Sequence, residues 1–144
     1  MPRILLVLLA CCAAAVLAPA ALACPKGYSY AGLYSPSRAS GISATISMLD
    51  TPSAFGEASH VAGWVGVGGP GLGPNGSDEW LQVGLATFGT SSGGRLYYEL
   101  ARPGSPPQYQ ELAAGIVPGI RVRVAVLELP YARNQWIVVS PAGV

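Results

Sequence analysis

Charge is what this chain has least of. Asp, Glu, Lys and Arg make up 10% of its 144 residues, against the ~25% usual in soluble domains. Lysine is nearly absent, Lys26 being the single example, and His60 is the only histidine. With no basic stripe and no acidic tail, the chain offers nothing to bind nucleic acid. One histidine cannot furnish a zinc site without several cysteines. It has no Gly-x-Ser-x-Gly elbow beside it, so nucleophilic catalysis has little to build on. The glycine-rich stretch from Gly66 to Gly76 lacks the Gly-Lys-Ser/Thr ending of a phosphate loop, and no helix pattern follows it. Asn75, Asp78 and Glu79 form an oxygen-rich loop without the count and spacing of a calcium loop, and a solvated turn is the simpler reading. No metal and no cofactor are expected.

Sustained helical periodicity is the second absence. No window repeats apolar residues every 3.6 positions between caps, and the best helical candidate, Gln110 to Gly115, is short and ends in glycine.

One long apolar run is present, at the start. Arg3 precedes an almost unbroken apolar stretch from Ile4 to Leu17, and Ala21-Leu22-Ala23 is a small-x-small cleavage pattern before Cys24. The run is shorter than the ~20 residues of a bilayer span, and Pro19 interrupts its end. Residues 1–23 are therefore expected to be a secretory signal peptide and 24–144 the exported domain. Cys11 and Cys12 leave with the signal, so Cys24 remains as a single cysteine in an oxidising compartment. It is lipidated, free, or paired outside this chain. Lipid anchoring at Cys24 ranks below free secretion, because Ala21 and Leu22 stand in the reverse of the usual order, and a membrane is expected as a partner only if Cys24 is lipidated. Removing Arg3 takes the eight basic residues to seven, equal to the seven acidic ones. Abundant Ala, Gly and Arg with almost no Lys suit a GC-rich bacterial genome. Asn75-Gly76-Ser77 matches a glycosylation sequon, which matters only in a host that glycosylates.

Beyond Cys24, short β-like runs alternate with Gly, Pro, Ser and Asn. Gly41 to Leu49 places Ile42, Ala44, Ile46 and Met48 on one face and Ser43, Thr45 and Ser47 on the other. His60 to Gly68 is a second strand, where Trp64 has the core as its default place. Trp80 to Phe88 has an aliphatic face (Leu81, Val83, Leu85) and an aromatic one with a polar centre (Trp80, Gln82, Phe88). Arg95 to Ala101 follows a Ser-Ser-Gly-Gly turn as its hairpin partner. Pro103 to Pro107 is a loop. Pro118-Gly119 opens Ile120 to Leu129, the clearest strand, and Gln135 to Val139 begins another. The expectation is one all-β domain, a sandwich or jelly roll, monomeric.

Gly63-Trp64-Val65-Gly66-Val67, Trp80-Leu81-Gln82-Val83-Gly84, Tyr97-Tyr98-Glu99 and Pro118-Gly119 before a Val-rich strand occur in that order. The set resembles the glutamic peptidase (eqolisin) family, over most of the region from Tyr30 to Val139. The resemblance implies a concanavalin A-like jelly roll and an acid endopeptidase that pairs a Gln with a Glu. It implies Gln82 as the catalytic amide and Trp64, Trp80, Tyr98 and Glu99 as substrate-binding residues. Two departures stand out: Pro118-Gly119-Ile120 lacks the acid of the family's Gly-Asp turn, and Val83 follows Gln82 where Thr is usual. The family's catalytic Glu sits on a later strand that has no counterpart here. The domain is therefore expected to be incomplete at its C-terminus, inactive, and less stable than full-length relatives.

The chemistry behind such a pair is simple. A carboxylate activates water and later protonates the leaving amine, while the Gln amide holds the water and steadies the oxyanion. Without the carboxylate, the role of Gln82 contracts to binding. Glu99 is the nearest acid in the motif set, but strand parity alone leaves open whether it or Tyr98 faces Gln82. The blander reading makes Gln82 a polar residue on a solvent-facing strand. A different class is a non-catalytic carbohydrate- or peptidoglycan-binding module that stacks sugars on Trp80, Gln82 and Tyr97 or Tyr98, so the expected partner is a polypeptide or a glycan. A secreted structural protein without a ligand is the third reading.

Overall fold

The computed structural model describes residues 29–50, 56, 59–89 and 93–143. The expected signal peptide, Cys24 and the serines of the Ser-Ser-Gly-Gly turn lie outside the described residues. The chain divides into two compact units, Met1–Pro36 and Ser37–Val144. In the first, residues 29–36 contain no strand, and Tyr30, Leu33 and Tyr34 are exposed.

The second unit is all-β. Its strands are β1 (Gly41–Ser47), β2 (His60–Gly69), β3 (Glu79–Phe88), β4 (Gly94–Ala101), β5 (Gln108–Ile116), β6 (Arg121–Leu129) and β7 (Ala132–Val139). They form two antiparallel sheets, one of three strands in the order β1-β6-β7 and one of four in the order β2-β3-β4-β5. The sheets pack as a sandwich-like fold.

Period-two alternation decides what each sheet buries. In the smaller sheet, Ile46 lies opposite Val122, Ala44 opposite Val124, and Val126 opposite Val138. In the larger one, Val65 lies opposite Val83, and Leu85 opposite Leu96. These two inner faces meet in a core of Met48, Val83, Leu85, Leu96, Val122, Val124 and Val126, with Trp136 and Val138 packed against it. The outer face of the smaller sheet carries Ser43, Thr45, Arg121 and Arg123 at one end and Ala125, Leu127, Ile137 and Val139 at the other.

The chain passes from the larger sheet back to the smaller through a tight turn. Ile120 N–H donates to the Val117 carbonyl at 3.3 Å, with Pro118 second and Gly119 third at φ 82°. Proline fixes its own φ, and a side chain at the third position would be strained there. Gly119 N–H and Met48 N–H then exchange bonds with Met48 and Ile120 carbonyls, both 2.9 Å, extending the β1–β6 ladder.

Two strands differ from the sequence reading. The segment proposed as the best helix lies inside β5, where Tyr109 and Gln110 pair with Glu99 and Tyr98 and a bulge near Leu112 absorbs the irregular Ala-Ala-Gly. The last strand begins at Ala132, three residues before Gln135, because it forms a hairpin with β6. Asn134 N–H, at φ 62°, donates to the Glu128 carboxylate at 2.9 Å and holds that hairpin's end.

Three strands facing four leave the inner side of β4 and β5 partly uncovered. A cavity of about 1280 Å³ opens there between Leu81, Tyr98, Leu100 and Leu112 on one side and Trp136 and Val138 on the other.

Val124 is fully buried, at 1% exposure, whereas Thr45 stands on the outer face. Val124→Ala is expected to remove about 2 kcal/mol of unfolding free energy, and Thr45→Ala less than about 0.5 kcal/mol. Urea denaturation measures both, and equal losses would contradict this packing.

Candidate functional site

Once Val83 and Leu85 turn into the core, their neighbours Gln82, Gly84 and Ala86 must turn away from it. The other face of the four-stranded sheet is therefore assembled by register. Gly66, Gln82, Glu99 and Tyr109 lie opposite one another across all four strands. Beside them runs a second row, Trp64, Gly84, Tyr97 and Glu111. Trp80 and Ala101 follow on one side, Ala86 and Arg95 on the other.

The open parity question is answered by this register: Glu99, not Tyr98, shares the face of Gln82. Tyr98 lies opposite Val83 and packs against the core, on the face away from Gln82, where it lines the cavity between the sheets. Trp64, whose default place was the core, stands on the outer face and is 43% exposed.

Polar groups on this face are held by one another. Trp80 Nε1 donates to Glu99 Oε1 at 2.9 Å, and Gln82 Nε2 donates to the Tyr97 hydroxyl at 3.4 Å, a long bond. Arg95 forms an ion pair with Glu111 at 2.6 Å, and its guanidinium lies 5.3 Å from the Phe88 ring centre. Both charged partners are about one-third exposed, so water weakens the pair and its contribution is below about 1 kcal/mol.

Aromatic rings complete the layer. Tyr97 is buried because Tyr109 stacks on it, with ring centres 5.1 Å apart at 18°. Phe88 meets Tyr109 edge-on at 6.0 Å and His60 at 5.3 Å. Burial raises the Tyr109 phenol above its ordinary pKa of 10.0, and the carboxylates of Glu111 and Glu99 push the same way against Arg95.

Glycine is required where two backbones crowd. A Cβ on Gly84 would run into the Gly63 carbonyl oxygen and lie 2.7 Å from the Trp64 Cβ. Gly84 thus lets the Trp64 side chain rise directly beside β3.

Tyr109, Arg95 and Glu111 escaped the motif reading, because Tyr109 and Glu111 come from a strand that looked helical and Arg95 meets its partners only across strands. The hairpin following Pro103 to Pro107 was the one available signal. Asp78 of the oxygen-rich loop accepts from Gly71 N–H at 2.9 Å, a brace within the loop. Among the described residues, no three His, Cys, Asp or Glu side chains converge on one point.

No protein-family model, curated protein or solved structure matches this chain. Roles on this face consequently rest on its geometry.

Gly84→Ala is expected to cost roughly 1–3 kcal/mol, since the obstructing atoms include backbone, and thermal unfolding with Gly32→Ala as a control in open space would measure it. A pH dependence follows from Tyr109. Its folded pKa is raised, so its contribution to stability is intact below 10.0 and is lost as pH climbs through the higher folded value. Alkaline unfolding followed by circular dichroism should show a shallower decline in Tyr109→Phe than in the unsubstituted chain.

Proposed function

We propose that this chain is an exported, glutamic-peptidase-like domain of jelly-roll type whose outer four-stranded face binds extended polypeptide without cleaving it. The observation that carries this reading is the cross-strand pairing of Gln82 with Glu99 on one face, between Trp80 and the Tyr97–Tyr109 stack. A Gln amide presents both a donor and an acceptor, which matches the alternating N–H and C=O groups of a peptide backbone. Rings beside it supply apolar contact at small conformational cost.

Hydrolysis asks for more than binding. A general base must reach a water that Gln82 also holds. One Glu99 oxygen is engaged by the Trp80 indole, and Glu111 is engaged by Arg95. Both carboxylates therefore serve to shape the face. Secretion, the jelly-roll assignment and the family resemblance stand or fall with the same domain.

A glycan-binding module is the second reading, favoured by the exposure of two rings, Trp64 at 43% and Tyr109 at 41%, on this face. Fold alone does not separate the two.

The test uses fluorescein-labelled casein at acidic pH, with anisotropy for binding and peptide release for cleavage. Binding without release, weakened in Gln82→Ala by roughly 3- to 10-fold as for the loss of a hydrogen bond, is the expected result. Release that Gln82→Ala abolishes would make the domain a peptidase. Retention on insoluble peptidoglycan with no casein binding would favour the glycan module.

A further inference from the structure

We propose that Tyr109 is a further ligand-contacting residue of the polypeptide-binding face, donating its hydroxyl to a peptide carbonyl of a ligand that runs across the strands. The inference rests on the polypeptide-binding reading above and extends it by one contact and a direction.

Three observations point the same way. Gln82, Glu99 and Tyr109 occupy one transverse row, on β3, β4 and β5. Neighbouring strands lie about 4.8 Å apart, so the row from Gln82 to Tyr109 spans about 10 Å. An extended peptide advances about 3.3 Å per residue, so three residues laid along the row cover that distance. A ligand running parallel to the strands would meet Gln82 and then Gly84 or Trp80, and would pass Tyr109 by.

The row is also open at one end and anchored at the other. It begins at Gly66, which has no side chain to block approach to the backbone. It ends at Tyr109, whose ring is fixed by stacking on Tyr97 and edge contact with Phe88. Among the described residues nothing hydrogen-bonds the Tyr109 hydroxyl, although the residue is 41% exposed. A rigid ring with an uncommitted donor is a preorganised contact, because little side-chain freedom is lost when a ligand accepts from it. A phenol is protonated at neutral and acidic pH, so the donor is present under those conditions.

Glu99 lies between the two donors, with Oε1 bound by Trp80. Its acceptor oxygens complement the N–H groups of the same peptide, so the row alternates donor, acceptor and donor. That order suits a main chain more than one side-chain type.

Fluorescein-labelled casein binding, measured by anisotropy for the unsubstituted chain, Tyr109→Phe and Gln82→Ala, tests the proposal beside thermal unfolding of each. Tyr109→Phe keeps the ring and removes only the hydroxyl. The expected result is a binding loss of roughly 3- to 10-fold, the size of one net hydrogen bond, with the unfolding temperature unchanged near neutral pH. Binding by Tyr109→Phe equal to the unsubstituted chain, while Gln82→Ala is weakened, would overturn the role of Tyr109 and leave the polypeptide-binding reading standing. A parallel fall in binding and unfolding temperature would make Tyr109 structural and overturn it too. If the unsubstituted chain fails to bind casein at all, the underlying reading falls and the proposal falls with it.

Discussion

The register of β3 between β2 and β4 is the constraint on which everything else rests. Val83 has no exposure and Leu85 almost none. Burying them commits every second residue of β3 to the opposite face, and the ladder carries that choice to Gly66, Glu99 and Tyr109. A slip by one residue would bury Gln82 and Trp80 polar atoms and expose Leu81, Val83 and Leu85, reversing both faces together. The core therefore selects the site, and the chemistry of the outer face is a consequence of packing on the inner one.

That outer face is itself a second, thinner packed layer. Tyr97 and Ala86 are as buried as core residues although they point away from the core. Tyr109 covers Tyr97, and the Phe88–Arg95–Glu111 group closes the side. The chain has seven acidic residues, and two of them, Glu99 and Glu111, are placed on this face. In so charge-poor a molecule, that concentration distinguishes the face from the smaller sheet's exterior, where Ser43, Thr45, Arg121 and Arg123 give way to Ala125, Leu127, Ile137 and Val139.

Strands with strict alternation were legible from sequence. Val122, Val124 and Val126 announce both a strand and its buried side, and Leu81, Val83 and Leu85 do the same for β3. β5 was not legible, because Leu112-Ala113-Ala114-Gly115 breaks the period at a bulge that only the partner strand explains. Gln82 was legible as an anomaly, a lone amide among rings. Its neighbours were not, because a cross-strand contact depends on turn length and register, and neither is written in the strand itself. Tyr98 and Glu99 differ by one position, which is the whole difference between core and face. Trp64 misled for a related reason: the glycines at 63 and 66 look like an apolar strand's filler, yet Gly84 opposite makes room for the indole on the outer side.

The pairing of Glu99 with Trp80 bears on what kind of site this is. An indole N–H fixes the direction of the Glu99 carboxylate, which orients its acceptor oxygens toward the outer face. A carboxylate held in this way is suited to recognising a polar main chain. Gln82, held among the described residues by a 3.4 Å bond to Tyr97, is less tightly fixed than Glu99. The fixed acceptor and the less constrained amide are the two features on which the proposed binding role depends.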